Sequence, residues 1–277
     1  MMSSSNFTEK KFKSQDREGG KNTFRFCQLS LTQTAKMRIL TASLLFFLFA
    51  VSITEAEKCE GKRDIVFLLD MSGSVGEYNF RTTMLNTVAK ISNNFYIGPY
   101  NTQIGVDVFS TSAKTSIKLK DYRNGYSLNR AIRRIKYEGG YTNTYLGLNH
   151  VRRHSLSYRY GHRSGVPRIA IVLTDGKSQH KSKTLTAARN LKYAGVKIFS
   201  VGIGYGIDWA EVHGIASYGR KRAAQKLSLM VQNFKELNTS SFRHRITNMA
   251  CNVGSFIKRK PLPQLRPSKF KGLISKI

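Results

Sequence analysis

Apolar positions along this chain alternate between two rhythms. Asp64-Ile65-Val66-Phe67-Leu68-Leu69 is an almost unbroken apolar run, as a strand buried on both faces requires. Phe80, Met84, Val88 and Ile91 follow at helical spacing. Ile104 to Phe109 and Ser116 to Leu119 read as two more strands, near enough in sequence to form a hairpin-like pair. Leu128, Ala131, Ile132 and Ile135 mark the next helix, with Ser127 as its expected N-cap. Ile169 to Thr174 repeats the buried-strand pattern. A helix over roughly residues 183–194 should stop at Gly195, and Val196 to Val201 is the strand after it. Asp208 and Glu211 resemble a capping box opening a helix through Ala216. Leu227 to Val231 and Phe234 to Met249 close the series as a last strand and a last helix. Such alternation predicts an α/β fold. It would be a three-layer, doubly wound, mostly parallel central sheet with helices on both faces and one antiparallel edge strand from the 104–119 pair.

The pattern stops at both ends of this block. Residues 1–36 are polar, rich in Ser and Lys and aperiodic, so no structure is expected there. Met37-Arg38, the apolar stretch Ile39 to Ile53, and Thr54-Glu55-Ala56 follow in the order of a secretory signal peptide over residues 37–56. The apolar part, about 15 residues, is shorter than the ~20 that span a bilayer. An uncleaved signal-anchor is the other reading, because 36 residues precede Met37; translation starting at Met37 would remove them. Residues 252–277 hold Pro261, Pro263 and Pro267 and seven basic side chains with no acid, which reads as an extended basic tail.

Charge changes the picture more than composition does. Apolar residues at 40% suffice for a packed core, but 46 Lys and Arg face 16 Asp and Glu, a formal charge of +30. Self-repulsion of that size destabilises a compact chain, and a polyanionic partner offsets it. Sulfated or acidic glycan, acidic matrix protein, anionic mineral-associated matrix and nucleic acid all carry the needed charge; secretion sets nucleic acid aside. The cations cluster at Arg130, Arg133 and Arg134, at Arg152 and Arg153, at Arg220, Lys221 and Arg222, and at Lys258, Arg259 and Lys260. Solvated faces are the plainer reading of each cluster taken singly. Three cysteines are too few for a disulfide framework. Cleavage after Ala56 would remove Cys27 and leave Cys59 and Cys251, an even count suited to an oxidising compartment.

Candidate chemistry gathers at strand ends. The first buried strand runs into Asp70-Met71-Ser72-Gly73-Ser74-Val75-Gly76, and a later one into Leu173-Thr174-Asp175-Gly176. Gly139-Gly140-Tyr141-Thr142-Asn143-Thr144 opens a helix between them. In open parallel sheets ligands bind beyond the carboxyl ends of strands, where successive connections diverge. Asp70, Ser72, Ser74, Thr142 and Asp175 would meet there. Two carboxylates and three hydroxyls are hard oxygen donors, suited to Mg²⁺ or another hard cation such as Mn²⁺ or Ca²⁺. Two negative charges only balance the ion, so it would still attract an acidic oxygen from outside.

DIVFLLDMSGSVG, GGYTNT and IVLTDGKS, in that order, resemble the von Willebrand factor A domain, in its matrix types. They are similar to that family's metal-ion-dependent adhesion site, patterned Asp-x-Ser-x-Ser, Thr, Asp. TQIGVDVFSTSA and GVKIFSVGIG resemble the family's second and fifth strands, so the likeness covers about residues 59–251, within an expected domain of 57–251. It implies that Asp70, Ser72, Ser74, Thr142 and Asp175 hold the metal, with Thr144 the other candidate for the threonine. It also implies that Cys59 and Cys251 pair. The expected function is a secreted, non-enzymatic extracellular-matrix binding module that takes acidic ligand groups at the metal and polyanions on its basic surface. The alternative is a structural matrix component held mainly by charge, the metal incidental.

Weaker signals remain. Asn238-Thr239-Ser240 is a glycosylation sequon, usable in a secreted chain. Gly202-Ile203-Gly204-Tyr205-Gly206 mimics part of a dinucleotide fingerprint but follows the wrong strand. His150 and His154 stand four apart on an expected helix without the Glu of a zinc-protease motif, and read as surface histidines. No nucleophile and base share a motif, so no enzyme is expected.

Overall fold

A computed structural model of the chain describes residues 58–219 and 226–253. The expected extension 1–36, the expected signal segment 37–56, most of the expected 252–277 tail, and Arg220, Lys221, Arg222, Lys258, Arg259 and Lys260 lie outside the described residues. Six strands form one sheet: β1 (Arg63–Asp70), β2 (Thr102–Phe109), β3 (Ala113–Ile117), β4 (Arg168–Thr174), β5 (Val196–Ile203) and β6 (Ser228–Val231). Their order is β3-β2-β1-β4-β5-β6, and among them only β3 runs antiparallel, against β2. The helices are α1 (Gly76–Tyr78), α2 (Leu85–Ser92), α3 (Gly125–Ile132), α4 (Thr144–His150), α5 (Lys181–Tyr193), α6 (Trp209–Ile215), α7 (Phe234–Leu237) and α8 (Ser240–Cys251). A π-helical stretch, Asn79–Met84, joins α1 to α2, and another, Val151–Ser155, prolongs α4.

Every residue of β1 is buried, because successive side chains serve opposite cores. Ile65, Phe67 and Leu69 pack with Leu85 and Val88 of α2, Leu128 and Ile132 of α3, and Phe242 and Ile246 of α8. Val66 and Leu68 pack with Leu148 of α4, Val151, and Ala187 and Leu191 of α5. Apolar residues on both faces are what allow a parallel sheet covered by helices, as the unbroken run predicts. Among the described residues no helix is long and apolar enough to cross a membrane.

Several boundaries depart from expectation, each for a local reason. Asn124, not Ser127, caps α3: its side chain accepts from the Ser127 amide at 2.9 Å. β3 lies at Ala113–Ile117 rather than at 116–119, with a register irregularity opposite Val106 and Asp107. The expected last helix is two, because the Thr239 hydroxyl caps a new start by accepting from the Phe242 amide at 3.3 Å. The capping box is half formed. Asp208 accepts from the Glu211 amide at 3.1 Å, but the Glu211 carboxylate turns inward and accepts from the Ser178 amide at 3.3 Å.

Opposite the strand C-termini, the first strand and the last helix are clamped together. Arg63 donates from Nε to the Ala250 carbonyl at 3.1 Å and from Nη2 to the Cys251 carbonyl at 2.6 Å. A cation there satisfies orphan carbonyls at the negative end of α8. Cys59 and Cys251 form a disulfide with Cα atoms 5.8 Å apart across 192 residues of sequence. Next to Arg63, the fully buried Asp64 receives both Nε and Nη2 of Arg163, at 2.9 and 2.7 Å. Breaking the disulfide frees a very long loop in the unfolded chain, so Cys59→Ser with Cys251→Ser should cost about 2–5 kcal/mol of unfolding free energy. Denaturant titration with and without reductant checks this, and an unchanged midpoint would contradict it.

Candidate metal centre

Chain order in the sheet creates the site. β1 is followed by its neighbour β2 on one side, and the chain later returns to β4 on the other, so the loops leaving β1 and β4 part and leave a crevice. Asp70 ends β1 and is fully buried; Ser72 is buried and Ser74 exposed in the loop beyond. Asp175 follows β4 directly and is half-buried. A third stretch, 139–144, is drawn across by backbone bonds: the Gly73 amide donates to the Gly140 carbonyl at 2.9 Å, and the Asn143 amide to the Ser110 carbonyl at 3.1 Å. Gly140 has φ +109°, and a Cβ there would stand 2.5 Å from the Thr111 hydroxyl, so the crossing needs glycine.

The side chains form one chain of oxygens. Asp70 Oδ1 accepts from the Ser72 amide at 2.9 Å, and Oδ2 from the Thr174 hydroxyl at 2.6 Å. The Ser72 and Ser74 hydroxyls are 3.1 Å apart, and Ser74 donates to Asp175 Oδ1 at 2.7 Å. A methyl placed on Gly176 would touch Ser74 Oγ at 3.4 Å and Thr142 Oγ1 at 3.7 Å, which puts the Thr142 hydroxyl on the same small opening. Thr144, the other candidate, is buried at the start of α4. All five expected positions thus converge.

The donor set fits a small hard cation. Edges of a Mg²⁺ octahedron with ligands at 2.0–2.1 Å are about 3.0 Å long, matching the spacing of adjacent oxygens here. Among the described residues, neither Asp70 nor Asp175 forms an ion pair with a basic side chain. In so basic a chain, that leaves two neighbouring carboxylates with no basic partner among the described residues. Burial pushes the Asp70 carboxyl up to about 6, against the lowering effect of its bonds from Ser72 and Thr174. Burial raises Asp175 as well, opposed by the Ser74 bond.

Two supports carry no sequence signal of their own. Thr174 holds Asp70, and Tyr137 donates to the Ser72 carbonyl at 2.9 Å, pinning the loop from outside. The strand period fixes only which face of the sheet Thr174 takes, and nothing in the pattern marks Tyr137.

The remaining candidates scatter. Arg130, Arg133, Arg134 and Arg153 are exposed, whereas Arg152 is half-buried with its Nε unpartnered. Asn238 is half-buried, its Oδ1 accepting from Lys90 at 3.3 Å and Thr87 at 3.4 Å. His150 departs from its reading as a surface residue. It is half-buried and bonded through Nε2 to the Thr115 hydroxyl at 2.8 Å, because β3 and the turn after α4 close over it. Thr115 leads on to Ser155, which donates to the fully buried Asp107, a carboxyl that burial pushes up to about 7. His154 is exposed, its ring 4.7 Å from that of His150. Among the described residues no three His, Cys, Asp or Glu side chains gather as a metal cluster.

Comparison with known proteins follows the same lines. The family profile described as von Willebrand factor type A domain matches residues 64–243. The human collagen alpha-1(XX) chain is 38% identical over 154 residues, 56% of this chain and 12% of that protein. Mouse matrilin-2 is 33% identical over 161 residues, 57% of this chain and 16% of that protein. Proximal thread matrix protein 1 from the mussel byssus, in a structure with a zinc-occupied MIDAS motif, superposes with a TM-score of 0.64. It is 28% identical over 70% of this chain and 49% of that one. The chain spans under a fifth of the collagen and of the matrilin.

Because the folded Asp70 carboxyl titrates above its unfolded value of 3.8, the fold binds that proton more tightly than the unfolded chain does. Ionisation of Asp70 therefore costs stability as pH rises from about 4 to about 6, and Asp107 adds a loss of the same sign up to about 7. In chelator, unfolding free energy should fall across this window. Asp70→Asn should flatten the part below pH 6, and a slope identical to that of the wild type would refute the burial argument.

Proposed function

This chain belongs to the von Willebrand factor type A family, and from that premise we propose that it is a secreted, non-enzymatic adhesion module of the extracellular matrix. Residues 57–251 form the binding domain, released from the signal segment 37–56. Asp70, Ser72, Ser74, Thr142 and Asp175 hold a divalent cation, Mg²⁺ or a similar hard ion. When bound, the cation supplies an electron-poor centre that an acidic oxygen of a partner matrix protein can reach.

One observation carries this reading: two adjacent carboxylates stand in a strongly basic chain without a basic partner among the described residues, with hydroxyls lying between them. The residues divide the work. Asp70 is fixed by Ser72 and Thr174, and so holds the loop that presents both serine hydroxyls. Ser74 aligns Asp175, and Thr142 enters from the third stretch. Neutral hydroxyls at three positions add no negative charge beyond that of the two carboxylates, so the ion can still take an incoming acidic oxygen. The zinc in the mussel byssus protein and the matrix names of the relatives support the same direction. Asn238 is a glycosylation site in this reading.

The second reading, a structural matrix component held by charge, draws on the +30 formal charge. A metal titration of the secreted chain against immobilised collagens separates the two. Asp70→Ala and Thr142→Ala should each lower Mg²⁺-dependent binding about 100-fold or more with the fold intact by circular dichroism, while Thr144→Ala spares metal affinity. Equal binding in excess EDTA would reject the metal-dependent reading.

A further inference from the structure

Two clefts lie side by side along α3 and share its outer face. One, about 880 Å³, is lined by Lys58, Tyr96, Tyr126, Arg130, Arg133 and Arg134 together with Asn93 and Asn129. The other, about 730 Å³, reuses Tyr126, Arg130 and Arg134 and continues to Lys114, Lys136 and Glu138. Both volumes lie in the range of ligand sites, ~300–1,000 Å³. The one acidic side chain lining either cleft, Glu138, is already ion-paired to Lys114. Among the described residues Lys58, Arg130, Arg133, Arg134 and Lys136 form no ion pair. Arg133 spends only Nε, on Asn86 Oδ1 at 2.9 Å. Tyr126 is 79% exposed and stands on the ridge between the clefts; Tyr96, 45% exposed, lies in the wall of the larger one with Lys58 over its ring.

We propose that this double cleft is a binding groove for a sulfated glycan chain, one polymer crossing α3 at Tyr126 and lying in both halves. The proposal deepens the polyanion contact read from the charge, and does not depend on the metal centre. An arginine fork can donate to two oxygens of one tetrahedral sulfate group at once, which a lysine ammonium does less well, and three of the five unpaired cations are arginine. Exposed tyrosine rings offer flat apolar faces for the C–H side of a sugar, with hydroxyls to bond its rim. A protein partner would need a deep apolar pocket for an anchoring side chain, whereas here the well-exposed apolar surface is tyrosine. Two halves joined over a shared ridge suit a repeating polymer more than a single small anion.

Neither cleft is lined by Asp70, Ser72, Ser74, Thr142 or Asp175, so a glycan in the groove would leave the candidate metal centre free.

The test measures binding of the full chain to heparin, to desulfated heparin and to polyglutamate across a salt series. Arg130→Gln with Arg134→Gln should weaken heparin binding about tenfold and flatten its salt dependence. Arg159→Gln with Arg189→Gln, which removes equal charge from exposed positions outside both clefts, should change it by less than about twofold. Tyr126→Ala should weaken heparin binding while keeping the wild-type salt slope. Desulfated heparin and polyglutamate should bind at least about tenfold more weakly than heparin. Thermal unfolding of each variant reports on the fold. Equal losses for the two arginine pairs would overturn the groove while leaving diffuse polyanion contact standing. Polyglutamate binding as tightly as heparin would overturn the glycan assignment. Loss of heparin binding in EDTA or in Asp70→Ala would transfer the contact to the metal centre and overturn the proposal. No retention at physiological salt would defeat polyanion contact as a whole.

Discussion

A carboxylate at the end of a strand buried on both faces is the constraint from which the rest follows. Asp70 has no exposure to water and no ion pair with a basic side chain among the described residues, so its oxygens must be met by what lies around it. The Ser72 amide meets one oxygen, and the Thr174 hydroxyl the other. Those two bonds fix the turn after β1 and tie it to the end of β4. Ser74 and Asp175 can then face each other across the crevice only because the first pair is fixed. Burial of the charge is costly, and the cost is tolerable when an external ion shares the opening.

The sheet order supplies the crevice and the helices supply the dryness. Were β4 on the same side of β1 as β2, the two acidic loops would not part around a common opening. The alternating side chains of β1 serve two separate cores, so the strand carrying Asp70 cannot shift without disturbing both. A rigid strand end and an exposed Ser74 give a site that is positioned from inside and reached from outside.

Much of this was legible in the residue pattern, and the exceptions are instructive. The apolar run of β1, the strand ends at Asp70 and Asp175 and the glycines before Thr142 placed five oxygens at one rim, and the structure brings those positions together. The sequence leaves Thr142 and Thr144 both open, since they lie on either side of a helix start; both are buried, and the Thr142 hydroxyl is the one found near Ser74 across Gly176. Tyr137 was invisible because it acts on a main-chain carbonyl, which any residue would offer. Asp107 lies between Val106 and Val108, an alternation that looks like a half-wet strand; the turn after α4 covers that face and puts Ser155 on the carboxyl. His150 followed the same course. Ser127 was read as a cap because caps are side-chain events, and Asn124 three residues earlier has the better acceptor.

The clamp opposite the crevice has a mechanical meaning. Cys59 and Cys251 bring the two flanks of the domain to within 5.8 Å at the Cα atoms, and Arg63 ties β1 to the last carbonyls of α8. Tension transmitted along a longer polymer through these flanks would run across one sulfur–sulfur bond. It would bypass the strands entirely, and a ligand held at the far rim would feel none of the stretch.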